Sequence, residues 1–156
     1  MTQKKISVTT NPESCADMFN NTRWANDFTW KQLIILGKYF EPFSISHGGI
    51  LFNEGDIGGT MSILTKGKII IQKDGKKLTT LQSGYSFGEM SLIDNQRRSA
   101  SAIAIEDSEF ISINKEGLKK LSQDHPAVAL MLVLKITQLL SQRLRQTSGQ
   151  LSEFID

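Results

Sequence analysis

Cysteine, histidine and proline are scarce in this sequence: one cysteine, two histidines and three prolines among 156 residues. Cys15 alone forms no internal disulfide, and Cys15, His47 and His125 together supply no ligand set for a structural zinc, so no metal is expected. His47 sits in a glycine turn and His125 precedes Pro126. Neither has a serine or cysteine partner that would suggest catalysis, and no catalytic residue is assigned. A bias of charge is also missing. Eighteen basic and sixteen acidic side chains leave a formal charge of +2, too little for a broad field toward nucleic acid or an anionic membrane, so any anion site is local. The apolar run Ala129–Leu134 is far too short to span a bilayer, and MTQKKISVTTNPES carries no apolar signal core. A soluble, cytoplasmic protein without membrane contact is expected.

What is present suits one domain, with 39% hydrophobic and 22% charged residues. Residues 1–26 are polar and asparagine-rich and read as a tail with a short helix around Met18–Trp24; residues 27–156 read as the domain. Trp30, Leu33, Ile34, Leu36, Gly37 and Phe40 recur at helical spacing after Thr29, a suitable N-cap, and Pro42 is expected to end that helix. The next seventy residues hold short β-prone runs separated by glycine turns. Asp74-Gly75 between Ile69–Gln72 and Lys77–Leu81 predicts a tight hairpin, because both central residues of a type I′ turn need positive φ. The pattern predicts a mainly β fold, a barrel or jelly roll of about eight short strands, with N-terminal helices and a long C-terminal helix over about 126–151. In that last helix Val133, Leu140 and Thr147 repeat every seven residues, with Thr137, Leu144 and Leu151 as a second row. They suit either a homodimer seam or a face packed on the barrel.

One segment breaks the strand pattern: Phe87-Gly88-Glu89-Met90-Ser91-Leu92-Ile93-Asp94-Asn95-Gln96-Arg97-Arg98-Ser99-Ala100. A glycine followed by a helical turn presents free backbone amides to an anion. Arg98 can hold two phosphate oxygens in its planar fork, and Ser99 adds a hydroxyl donor. A carboxylate so close to phosphate is repulsive unless it engages a neutral donor or an arginine, so Glu89 suits a sugar hydroxyl. A lone arginine would ordinarily be read as a surface ion pair with Glu89 or Asp94; the surrounding order of residues favours the anion site.

That order, together with the Leu51–Asp56 and Lys66–Lys68 turns and the terminal helix, resembles the cyclic nucleotide-binding domain family, which includes bacterial catabolite activators, regulatory subunits of cAMP-dependent kinase and cyclic nucleotide-gated channels. The resemblance spans residues 28–151. It implies that Glu89 takes the ribose 2′-hydroxyl, that Arg98 takes the cyclic phosphate, and that Gly88, Met90, Ser99 and Ala100 complete the cradle. Arg143-Leu144-Arg145-Gln146-Thr147-Ser148 resembles the activators' dimer helix and implies base contacts for Thr147 and Ser148. The sequence departs from the pattern at Arg97, often proline in the kinase subunits, at Ser91, which replaces a small residue, and in a terminal helix about one turn longer. The implied ligand is cAMP, with cGMP possible; the implied partners are a second copy through the terminal helix and an unidentified protein. No helix-turn-helix follows Asp156, so direct DNA binding is not expected. The alternative is a ligand-independent dimerisation or protein-interaction domain. An enzyme such as a phosphodiesterase would need a metal cluster or a nucleophile and base.

Overall fold

Thr29 starts the first domain helix through a capping box: its hydroxyl accepts from the Gln32 amide, and the Gln32 side chain accepts from the Thr29 amide. The computed structural model describes residues 4–5 and 12–155, with side chains for 14–150. In chain order the elements are β1 (Lys4–Lys5), α1 (Pro12–Asn20), a 3-10 turn (Arg23–Asp27), α2 (Trp30–Gly37), β2 (Glu41–Ile45), β3 (Ile50–Phe52), β4 (Thr60–Lys66), β5 (Ile69–Lys73), β6 (Lys76–Leu81), β7 (Ser86–Phe87), α3 (Glu89–Asp94), β8 (Ser101–Ala104), β9 (Ser108–Asn114), α4 (Lys115–Asp124) and α5 (Pro126–Ile155). The strands form two antiparallel sheets, ordered β1-β2-β9-β4-β7 and β3-β8-β5-β6. The expected β fold with flanking helices is present.

Both faces of the first sheet are covered, so β4 and β9 are buried along most of their length. Met61, Ile63, Ile111 and Ile113 pack against the helices. The alternate residues Leu64 and Phe110 join Ile45, Leu51, Ile69, Leu81 and Phe87 in the barrel interior. Ser62 and Ser112 face each other across these strands with hydroxyls 2.7 Å apart, each supplying the hydrogen bond the other needs when buried. The Asp74-Gly75 hairpin forms as predicted, with φ of 51° and 74° at its two central residues.

Four local expectations change. Pro42 does not end α2, which stops at Gly37; it lies in β2 opposite Ile111. It is the second residue of β2, close to the strand start where a missing amide is best tolerated. The helix expected around Met18–Trp24 is instead α1 followed by the 3-10 turn. These are part of the core: Cys15, Ala16, Phe19, Trp24 and Phe28 are buried with α2, α4 and α5, and Phe19 meets Phe40 edge to face at 4.8 Å. Helix α4 escaped the sequence reading, although Asn114 caps it by accepting from the Gly117 amide. Finally, α5 runs through Gly149 to Ile155. By length and composition α5 is apolar enough to cross a membrane, and its Val128, Ala129, Leu132 and Ile136 are buried in the helical core.

Candidate functional site

Between β7 and α3 the chain turns through Gly88, whose φ of +77° lies in the left-handed region. Packing imposes a second constraint, because a Cβ there would fall 2.5 Å from Arg98 Nη1 and 2.7 Å from the Thr60 carbonyl oxygen. Conformation and contact thus both require glycine. Gly88→Ala is expected to destabilise the fold by about 2–4 kcal/mol, the sum of left-handed strain and overpacking; a denaturant midpoint within 0.5 kcal/mol equivalents of the parent, on the order of a surface change, would contradict this.

Ser91, in the first turn of α3, ties the site together. Its hydroxyl accepts from the Gly59 amide at 3.0 Å and from Arg98 Nη1 at 2.8 Å, and donates to the Gly88 carbonyl at 3.2 Å. Gly58 has no Cβ to offer, and one would collide with the Ser91 side chain, so the 58–59 turn closes directly over α3.

Arg98 is partly buried, and its Nη1 also donates to the Thr60 and Gly88 carbonyls at 3.0 and 3.1 Å. Its Cζ lies 4.0 Å from the centroid of the Phe52 ring, a cation–π contact that fixes the guanidinium plane. The backbone is pinned by the Asn53–Asp56 turn: the Gly55 amide donates to the Arg98 carbonyl and the Arg98 amide to the Asp56 carbonyl, both at 2.9 Å. Burial pushes the guanidinium below its ordinary pKa, and the Asp56 carboxylate opposes that shift. Arg98 Nε is buried without a hydrogen-bond partner among the described residues.

Glu89 is 3% exposed. Its Oε1 accepts from Arg143 Nη1 on α5, and Arg143 Nη2 donates to the Ser86 carbonyl at 2.9 Å. Burial lowers the pKa of Arg143 as well. The other carboxylate oxygen, Glu89 Oε2, is buried with no hydrogen-bond partner among the described residues, as is Ser86 Oγ.

The structure therefore gathers Gly88, Glu89 and Arg98 into one site. Met90 lies at the edge, half exposed, Ala100 is partly buried, and Ser99 is exposed with its carbonyl accepting from Lys73 Nζ at 2.9 Å. Thr147 and Ser148 are exposed on α5, and Thr147 Oγ1 donates to its own helix at the Arg143 carbonyl. From α5 it is Arg143 that reaches the site, one turn before Thr147 on the same helix face. Sequence reasoning passed over Arg143, Ser91, Phe52 and Gly58. For Arg143 the helical offset from Thr147 was the available signal; for the others contacts across the barrel decide.

A left-handed glycine, a buried carboxylate and a planar arginine held by carbonyls lie between the strands of a jelly roll. The family model for the cyclic nucleotide-binding domain matches residues 42–125, which span these parts. The chain belongs to the cyclic nucleotide-binding domain family. Among curated proteins, the cyclic AMP receptor protein of Thermus thermophilus is 34% identical over 118 residues, covering 72% of this chain and 53% of that protein. The chain spans about half the length of the curated relatives it matches. Among solved structures, a cyclic nucleotide-binding domain from Methylobacillus flagellatus superposes with a TM-score of 0.81 at 23% identity, over 95% of this chain and 86% of that one. The regulatory domain of Toxoplasma gondii PKA, solved with cAMP, gives a TM-score of 0.65 at 17% identity over 83% of this chain and 51% of its own. At those identities the two structures share the fold of this cyclic nucleotide-binding domain.

Proposed function

We propose that this chain is a non-catalytic, cytoplasmic regulatory module that binds a cyclic nucleotide, cAMP in preference to cGMP, and passes occupancy through α5 to a partner. The observation that carries the reading is the pair of unpartnered buried atoms in the site, Glu89 Oε2 and Arg98 Nε. One is a free acceptor and the other a free cationic donor, and each is costly to bury unless a ligand supplies its partner. A ribose 2′-hydroxyl donating to Glu89 Oε2 and a cyclic phosphate accepting from Arg98 satisfy both. The amides of the Gly88–Met90 turn and of Ser99-Ala100 complete the phosphate cradle. The preference for adenine rests on the likeness to the Thermus thermophilus receptor and on Thr147 and Ser148, which stand one turn beyond the helix residue already in the site.

Signal transfer follows from the division of labour at Glu89. Arg143 uses Oε1, so the sugar can take Oε2 without breaking that ion pair. Ligand and α5 then share one carboxylate, and occupancy biases the position of the helix, including its pairing with a second copy. Arg143 thus acts as a positioning residue. Arg143→Ala is expected to lower stability by about 1–3 kcal/mol, reduced from the cost of breaking a fully buried pair because Arg143 is partly exposed. Thermal unfolding of the ligand-free protein measures this, and an unchanged midpoint would show that the pair does not contribute in solution.

Calorimetric titration with cAMP and cGMP tests the proposal. Saturable binding, tighter for cAMP, supports it. Heat-silent titrations without thermal stabilisation favour the second reading, a ligand-independent interaction domain, which the occupation of Glu89 Oε1 by the chain's own Arg143 would then explain.

A further inference from the structure

The β5–β8 ladder stops just short of the proposed phosphate cradle. Its last pair is Gln72 with Ser101, so the next two residues, Lys73 and Ala100, are not joined by it. A side chain takes over where the main chain stops: Lys73 Nζ donates to the Ser99 carbonyl at 2.9 Å. The lysine is itself held. Its Nζ lies 3.2 Å from Glu54 Oε1, and Glu54 Oε2 accepts from the Asp74 amide at 3.2 Å. The Asp74 amide and the Lys73 ammonium hold the Glu54 carboxyl below its ordinary pKa, so this anchor is ionised at neutral pH. The Glu54 amide in turn donates to Ser101 Oγ at 2.8 Å. Lys73 and Glu54 thus bracket the stretch Ser99–Ser101 from the hairpin side and from the Asn53–Asp56 turn.

The peptide between Ser99 and Ala100 is what the bracket orients. It is trans, and in a planar trans peptide the carbonyl oxygen and the amide hydrogen point to opposite sides. With the Ser99 carbonyl turned toward Lys73 on β5, the Ala100 amide is turned away from β5. That amide donates to no backbone or side-chain acceptor among the described residues. Its oxygen end is engaged by a cation, which polarises the peptide and strengthens the free N–H as a donor.

We infer that Lys73 is a positioning residue for anion binding: through the Ser99 carbonyl it aims the Ala100 amide at the cyclic phosphate, with Glu54 holding the ammonium in place. The ammonium acts through the peptide, because its own contacts are with the Ser99 carbonyl and the Glu54 carboxylate. The inference rests on the cyclic-nucleotide reading above and brings the β5–β6 hairpin into that site. The Lys73 and Glu54 side chains are 48% and 34% exposed, so their ion pair contributes little to folding. Its effect falls on ligand affinity.

The test compares calorimetric cAMP affinities and melting points of full-chain variants. Lys73→Met keeps an apolar stem and removes the donor; it is expected to bind cAMP roughly three- to tenfold more weakly, as for one weakened hydrogen bond, while melting like the parent. Lys73→Arg still donates to the carbonyl and is expected to restore most of the affinity. Lys77→Met removes the same charge from an exposed position on the same hairpin and is expected to bind like the parent. A loss there equal to that of Lys73→Met would reduce the effect to a general attraction between hairpin lysines and phosphate, and would overturn the positioning role. In isotope-labelled protein the Ala100 amide proton is expected to shift downfield on adding cAMP, and to shift less in Lys73→Met. Parent-like affinity of Lys73→Met, or an Ala100 resonance that cAMP leaves in place, overturns the inference while the nucleotide reading stands. A parent chain that binds no cyclic nucleotide overturns that reading, and the inference with it.

Discussion

Arg98→Ala is expected to weaken cAMP binding by roughly ten- to a hundredfold, the loss of a charge-assisted contact worth about 1.5–3 kcal/mol. The arginine enters the site already ordered: Nη1 is held by Thr60, Gly88 and Ser91, and the Phe52 ring covers one face. Ligand therefore meets a fork whose rotamer entropy has already been lost on folding. Arg98→Lys separates charge from geometry, because an ammonium keeps the charge and cannot reproduce the planar fork. Its affinity should fall between those of the parent and the alanine variant. Removing Arg98 also strips a donor from two carbonyls and the Ser91 hydroxyl, so thermal melts must accompany the calorimetry. An alanine variant that melts like the parent and binds cAMP as tightly would remove Arg98 from the phosphate role.

The second large effect concerns stability. Trp24→Ala is expected to cost about 3–5 kcal/mol, as for other fully buried aromatic residues. Trp24 is 1% exposed, and its indole Nε1 donates to the Gly84 carbonyl at 3.0 Å. The adjacent Arg23 guanidinium lies 4.2 Å from the Tyr85 ring centroid, and Asp27 pairs with Lys135 of α5 at 2.7 Å. The 3-10 turn thus grips both the turn that leads into β7 and the long helix α5. Trp24→Phe keeps most of the packing and loses the indole hydrogen bond, so a cost of about 1 kcal/mol is expected from it. Equal, small effects of both changes on urea unfolding would mean that residues 22–28 do not share the core.

The sequence was most informative where function leaves a local order of residue types. Gly88-Glu89 followed by Arg98-Ser99-Ala100 lies within a single stretch of chain, and its parts come together because one glycine turn and one short helix return the chain to the barrel. The hairpin at Asp74-Gly75 was equally plain, since only a few residue pairs accept two positive φ values. Helix α4 was harder to see. Its apolar residues Leu118 and Leu121 are sparse among lysines, and it is held mainly by one row against α5 and β9. Pro42 misled because proline ends helices far more often than it enters strands, and its place near the start of β2 is a property of the sheet.

By itself the sequence determined the β fold with its terminal helices, the family, and the grouping of Gly88, Glu89 and Arg98 in one place, because turn chemistry and the glycine-to-arginine segment are written in neighbouring residues. Tertiary structure alone decided that residues 14–28 belong to the core, that Ser91 and Phe52 fix the arginine, and that Arg143 reaches Glu89. Those contacts join residues 7 to 60 positions apart, and their distances depend on how strands and helices pack, which local pattern does not encode.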